Sequence, residues 1–224
     1  MGDCIVIDIN LIINSLPALA RGAWLSLQIG IFAAMIGFVL GTILGVIQSR
    51  HILVLNQLVT LYTTFMRGTP MLIQIAFAYF LLPQIGIPIS AFWVAVIAIG
   101  LNSGAYVSHI VRSGIASIDK GQLEAARVLG LSTMQTIRYV ILPQAISVVL
   151  PALGNELITM VKDSSLASTI GVMELTKEGS LIRSRTYDAL SIYVGVMLFY
   201  LAMTMTLTYL LSFIEKRMRR HVSN

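Results

Sequence analysis

Between Arg21 and Arg50 the chain carries no charged side chain, and the same holds from His51 to Met66 and from Ala189 to Ile214. A helix needs about 20 apolar residues to cross a bilayer core. Runs of this length cannot be hidden inside a small soluble domain, so they predict membrane-spanning helices. The rest of the composition agrees. Charged residues make up 11% of the 224-residue chain and hydrophobic ones 57%, where soluble proteins average about 25% charged. The fold class expected is an all-α membrane protein with five transmembrane helices: Trp24–Gln48, a long interrupted helix over Ile52–Leu82, Phe92–Val111, Pro143–Ser165 and Ala189–Ile214.

Residues 1–20 read as an interfacial N-terminal segment, because Asp3 and Asp8 replace the positive flank of a signal peptide and apolar residues alternate with Asn10, Asn14 and Ser15. Pro17 and Gly22 are expected to separate it from the transmembrane domain, 21–220. Cys4 is the single cysteine, which excludes an intrachain disulfide. Gly30, Gly37, Gly41 and Gly45 form a small-residue stripe along the first span, suited to close helix packing within the chain or against another copy.

Few polar side chains interrupt the spans, and a charge at such depth marks function by default. Arg67 stands midway along the second span, in Arg67-Gly68-Thr69-Pro70. Asn102 lies about 15 Å from the Arg112 end of the third, and Glu156 about 20 Å above Pro143 on the fourth. Glu156, Thr159 and Asp163 share one helix face by their spacing. The candidate substrate-binding set is therefore Arg67, Asn102, Glu156, Thr159 and Asp163. In this reading the Arg67 fork holds a carboxylate, while Glu156 and Asn102 take an amino group or polar side chain. The alternative is that Arg67 pairs with an acid of the fourth span and neutralises its own burial. Lys162 reads as interfacial.

A charged island, 119–143, joins the third and fourth spans. It reads as two short helices, Gln122–Leu129 with Leu123, Ala126 and Leu129 on one side, and a second capped by Ser132. Gly130 ends the first through its tolerance of the left-handed conformation. Pro143 opens the next span. Positive charge distinguishes the two sides of the membrane. The island, the Arg50 loop and the C-terminal Lys216, Arg217, Arg219 and Arg220 share one side, which is cytoplasmic by the positive-inside rule. The N-terminus is then outside and the C-terminus cytoplasmic. The net charge of +5 is thus a matter of orientation and not of nucleic-acid binding. No phosphate-binding loop, HExxH, CxxC or GxSxG motif is present, and His51, His109 and His221 are too scattered for a metal site.

Glu124-Ala125-Ala126, then Gly130, then Val140-Ile141-Leu142-Pro143 resembles the signature loop of the membrane subunits of ABC importers. Met66 to Gln74, Ala105-Tyr106, Gly154-Asn155-Glu156 and Lys162 to Ser168 extend the resemblance to the polar amino-acid permeases, over roughly Gly22 to Ser168. Ser108-His109 departs from the Ala-Glu common there. The resemblance implies a type I importer in the bacterial cytoplasmic (inner) membrane. It implies two such permease subunits, identical or related, with two ATP-hydrolysing subunits that carry ATP and Mg, and an extracytoplasmic amino-acid-binding protein. It implies that Gln122, Glu124, Ala125, Ala126, Gly130, Leu131 and Pro143 form the cytoplasmic coupling helices between spans three and four. This chain then binds no cofactor and is not itself an enzyme. The competing readings are an ion-coupled secondary carrier, a membrane scaffold, and an importer subunit for another small polar solute such as an opine.

Overall fold

The computed structural model describes residues 7–50 and 53–222. Cys4, His51 and the first six residues of the segment 1–20 lie outside the described residues. The described chain is all helical: α1 (Ile9–Ser49), α2 (Leu53–Gly68), α3 (Met71–Gln84), α4 (Ala91–Ala116), α5 (Lys120–Val128), α6 (Thr133–Thr136), α7 (Leu142–Asp163), α8 (Leu175–Thr186) and α9 (Ala189–Val222). Four helices are long and apolar enough to cross a membrane, or five if the bent pair α2–α3 counts as one span.

Three boundaries differ from those read in the sequence. α1 runs unbroken through Pro17 and Gly22. Its 41 residues extend roughly 60 Å, about twice the bilayer core. Gly22 is a contact point rather than a break: a Cβ there would sit 2.8 Å from the backbone of Leu175 on α8. The second span is not one rod, because α2 and α3 meet at 105°. Third, α6 does not end before α7. It continues through a π-helical turn, Ile137–Ile141, in which the Leu142 amide reaches back to the carbonyl of Ile137. Pro143 has no amide hydrogen to donate, and the wider turn shifts the hydrogen-bond register at that point.

The centre of the fold is the α1–α4 crossing. A Cβ on Gly37 would lie 3.0 Å from Ser103 Cβ, on Gly41 2.7 Å from the Gly104 carbonyl, and on Gly45 2.7 Å from the Ser108 carbonyl. Only hydrogen fits at these positions, so the stripe is a packing face inside the chain. Ile29, Ala33, Ala95, Val96 and Ile99 complete the core here, with Ile75 of α3 and Met160 of α7. A second cluster joins Leu19 and Ala23 of α1 to Val161, Leu175, Ile192 and Val196, and so fastens α8 and α9 to the bundle.

Candidate functional site

The bend between α2 and α3 places the polar residues of the bundle. Pro70, extended at ψ 132°, caps α3, and the last carbonyls of α2 lose their helical partners. Two amides replace them. Gln74 Nε2 donates to the Met66 carbonyl at 2.8 Å and to Thr69 Oγ1 at 2.7 Å. Asn102 Nδ2, from α4, donates to the same Met66 carbonyl at 2.9 Å and to Gln74 Oε1 at 3.0 Å. The donors of Asn102 thus hold the bend.

Beside the bend lies a cavity of about 260 Å³ whose polar lining is Thr69, Asn102, Ser103, Tyr106, Glu156, Thr159 and Asp163. No cationic residue lines it. Glu156 accepts from Ser103 Oγ at 2.8 Å, and Thr159 donates to the Asn155 carbonyl one turn back at 3.1 Å. Two carboxyl groups therefore converge on a small, partly enclosed volume that also offers hydroxyls and an amide.

Of the sequence-derived set, Asn102, Glu156, Thr159 and Asp163 meet at this cavity, and Arg67 does not line it. The Arg67 guanidinium sits over the Tyr106 ring, 5.3 Å from its centroid, and faces a neighbouring recess with His109 and Arg112. Depth along each helix gave Arg67 the same level as Asn102 and Glu156, but its side chain packs over Tyr106 and lines the neighbouring recess. Lys162 is exposed and lines neither volume. Ser103 and Tyr106 escaped the sequence reading. Tyr106 follows Asn102 by one helical turn, and that spacing was the signal available.

Glu174 also lies outside the candidate set read from the sequence. It is fully buried and caps α8. Its carboxylate accepts from the Lys177 amide at 2.8 Å, the Thr176 amide at 3.0 Å, Tyr200 Oη at 3.0 Å and Ser26 Oγ at 3.2 Å. Burial pushes its pKa above the ordinary glutamate value, against the opposing pull of these hydrogen bonds.

The island between α4 and α7 is a helix–turn–helix knuckle. Asp119 caps α5 through the Gly121 amide at 2.7 Å. At its other end Gly130 takes φ 71°, with Gly130 N–H donating to the Arg127 carbonyl and Leu131 N–H to that of Ala126, both at 3.0 Å. This is a Schellman turn, which glycine enters without a Cβ penalty. Ser132 and Gln135 then form a reciprocal capping box. Ala126 is buried and Gln122, Glu124 and Ala125 are exposed. Leu129, read on one side of the helix with Leu123 and Ala126, is 77% exposed, beside Val128 at 88% and Met134 at 72%. Leu129 follows the last helical residue, so it does not continue the α5 face.

A multi-pass bundle of long apolar helices with one broken span is the architecture of a membrane-embedded protein. The chain belongs to the family of binding-protein-dependent transport system inner membrane components, whose model matches residues 37–223. The glutamine transport system permease protein GlnP of Escherichia coli (strain K12) is 40% identical, over 95% of this chain and 98% of the relative. The arginine transport system permease protein ArtQ of Bacillus subtilis (strain 168) is 35% identical over the same shares. Among solved structures, the crystal structure of an amino acid ABC transporter with histidines matches with TM-score 0.87 and 38% identity, over 95% of this chain and all of that one. The chain is thus the non-catalytic membrane subunit of an ABC transporter, and ATP is hydrolysed by a separate subunit.

Proposed function

We propose that this permease subunit carries a polar or charged amino acid inward, and that the acidic cavity between α4, α7 and the α2–α3 bend receives its ammonium group. The observation that carries the reading is the convergence of Glu156 and Asp163, with Asn102 and Thr159, on one cavity without a cation. Carboxylates held there need a positive partner, and an amino acid brings one. The names of the glutamine, arginine and amino-acid transporters similar to this chain support the substrate class. Arg67, across Tyr106, does not line this cavity and takes no part in holding the ammonium end.

The knuckle is the coupling element. Gln122, Glu124 and Ala125 face water with the exposed apolar Val128 and Leu129. Such a patch outside the bilayer suits an apolar cleft on a partner. Gly130, Leu131 and Pro143 fix its shape through the turn and the π-helical entry to α7. Two ATP-hydrolysing subunits, loaded with ATP and Mg, would dock here on two permease subunits, and an extracytoplasmic binding protein would deliver substrate on the opposite face. The positive charge around the knuckle sets that face as cytoplasmic. The N-terminus then lies outside, with the first turns of α1 at the interface, and the membrane is the bacterial cytoplasmic one.

The test is Glu156→Gln in the reconstituted transporter, with amino-acid uptake and ATP hydrolysis measured separately. Uptake falls at least tenfold, equivalent to about 1.4 kcal/mol, while the ATPase still assembles. Unchanged uptake and selectivity would remove Glu156 from the binding site.

A further inference from the structure

We propose that the basic recess between α1, α2 and α4 is an oxyanion site, which takes a carboxylate or phosphate group that also carries a donor hydrogen. It is separate from the acidic cavity and stands independently of the substrate assigned there. The recess holds about 370 Å³ and is lined by Arg67, His109 and Arg112, with the hydroxyls of Thr60, Thr63 and Thr64 along α2. It adjoins a larger recess of about 650 Å³, with which it shares Gln48, Thr60 and Arg112 and which reaches Lys120 on α5. No acidic residue lines either one.

Two guanidinium groups and an imidazole share the recess with no counter-charge in its lining, and Arg67, midway along its span, faces a water-filled path or a partner rather than lipid. A guanidinium matches a carboxylate or phosphate bidentately, which makes the missing counter-charge an oxyanion. Gln48 narrows the chemistry. It is 6% exposed, it lines both recesses, and its buried Oε1 has no hydrogen-bond partner. That acceptor needs a donor, and a bare dianion has none. Hydrogen phosphate brings an O–H and an α-amino acid brings an ammonium, and both satisfy the whole lining. His109 adds a third basic side chain to the lining, alongside the two guanidinium groups and the threonine hydroxyls. The adjoining recess reaches Lys120 and Leu123 of α5, so the site opens toward the knuckle.

The test uses the assembled permease–ATPase complex in nanodiscs, where both faces are accessible. Arginines are modified with phenylglyoxal and quantified residue by residue by mass spectrometry, with inorganic phosphate or glutamine as protecting probes. At a probe concentration about four times its Kd the free fraction of the site falls about fivefold, and modification of Arg112 slows by that factor while Arg183 on α8 does not change. Protection by phosphate alone assigns the site to the hydrolysis product, and protection by glutamine alone to the transported class. Either result supports an oxyanion site. His109→Glu, which leaves the acidic cavity intact, abolishes the protection; if that variant does not assemble, His109→Gln weakens it. The proposal is overturned if neither probe slows Arg112 modification, or if His109→Glu is protected as well as the parent.

Discussion

Four donors converge on the Glu174 carboxylate, two of them amides of the first turn of α8 and two of them hydroxyls, from Ser26 on α1 and Tyr200 on α9. Glu174→Ala removes all four bonds. Loss of an N-cap side chain costs about 1 kcal/mol, and each buried donor left without an acceptor costs about 1–3 kcal/mol more. The hydroxyls are only partly stranded. Tyr200 keeps Thr176 Oγ1 at 3.1 Å, and Ser26 Oγ still accepts from the Leu175 amide at 3.2 Å. The net cost is about 3 kcal/mol, which corresponds to roughly 100-fold faster opening of the docked helix. Hydrogen exchange on the Leu175–Thr186 amides reads this directly. Glu174→Gln keeps one acceptor oxygen and costs about 1 kcal/mol. The pH dependence has a definite sign. Burial raises the folded-state pKa of Glu174, so in the window between the ordinary and the raised value the folded state holds more protons than the unfolded one. Stability is fully present below the ordinary value and declines as pH rises through the raised one. The Gln variant loses this dependence. Exchange within about threefold of the parent in Glu174→Ala would show that the carboxylate does not dock α8, and the reasoning would fall with it.

Gly45→Ala gains up to about 1 kcal/mol in helix propensity but places a methyl 2.7 Å from the Ser108 carbonyl; overpacking of about 1–3 kcal/mol outweighs the gain, and the melting temperature in detergent falls. Asn102→Leu removes the donor that ties the α2–α3 bend to α4, a loss of about 1–2 kcal/mol, and hydrogen exchange of the amides around the bend accelerates. Gly130→Ala forces a Cβ into φ 71° at about 1–2 kcal/mol, and the ATPase co-purifies less well than with the parent.

The spans were legible in the sequence because dehydration acts on each stretch locally: a charge-free run of sufficient length has one place to go. The knuckle was legible for the same reason, since Ser132 and Gly130 act on backbone groups within a few residues of themselves. Asn102 and Glu156 were picked out by depth along their spans, and Thr159 and Asp163 by sharing a face of α7 with Glu156; local helix geometry was enough to bring these four to one cavity. Other features depended on partners far along the chain. Gly22 reads as a helix breaker until Leu175 packs against it, and Glu174 reads as a surface charge until Ser26 and Tyr200 enclose it. Arg67 was grouped with the acidic cavity by its depth along the second span, and instead lies over Tyr106 of α4 and lines a different recess. Local chemistry dictates which segments enter the membrane and where they cap. Which side chains then meet depends on the crossing of helices distant in sequence, and that is an outcome of packing.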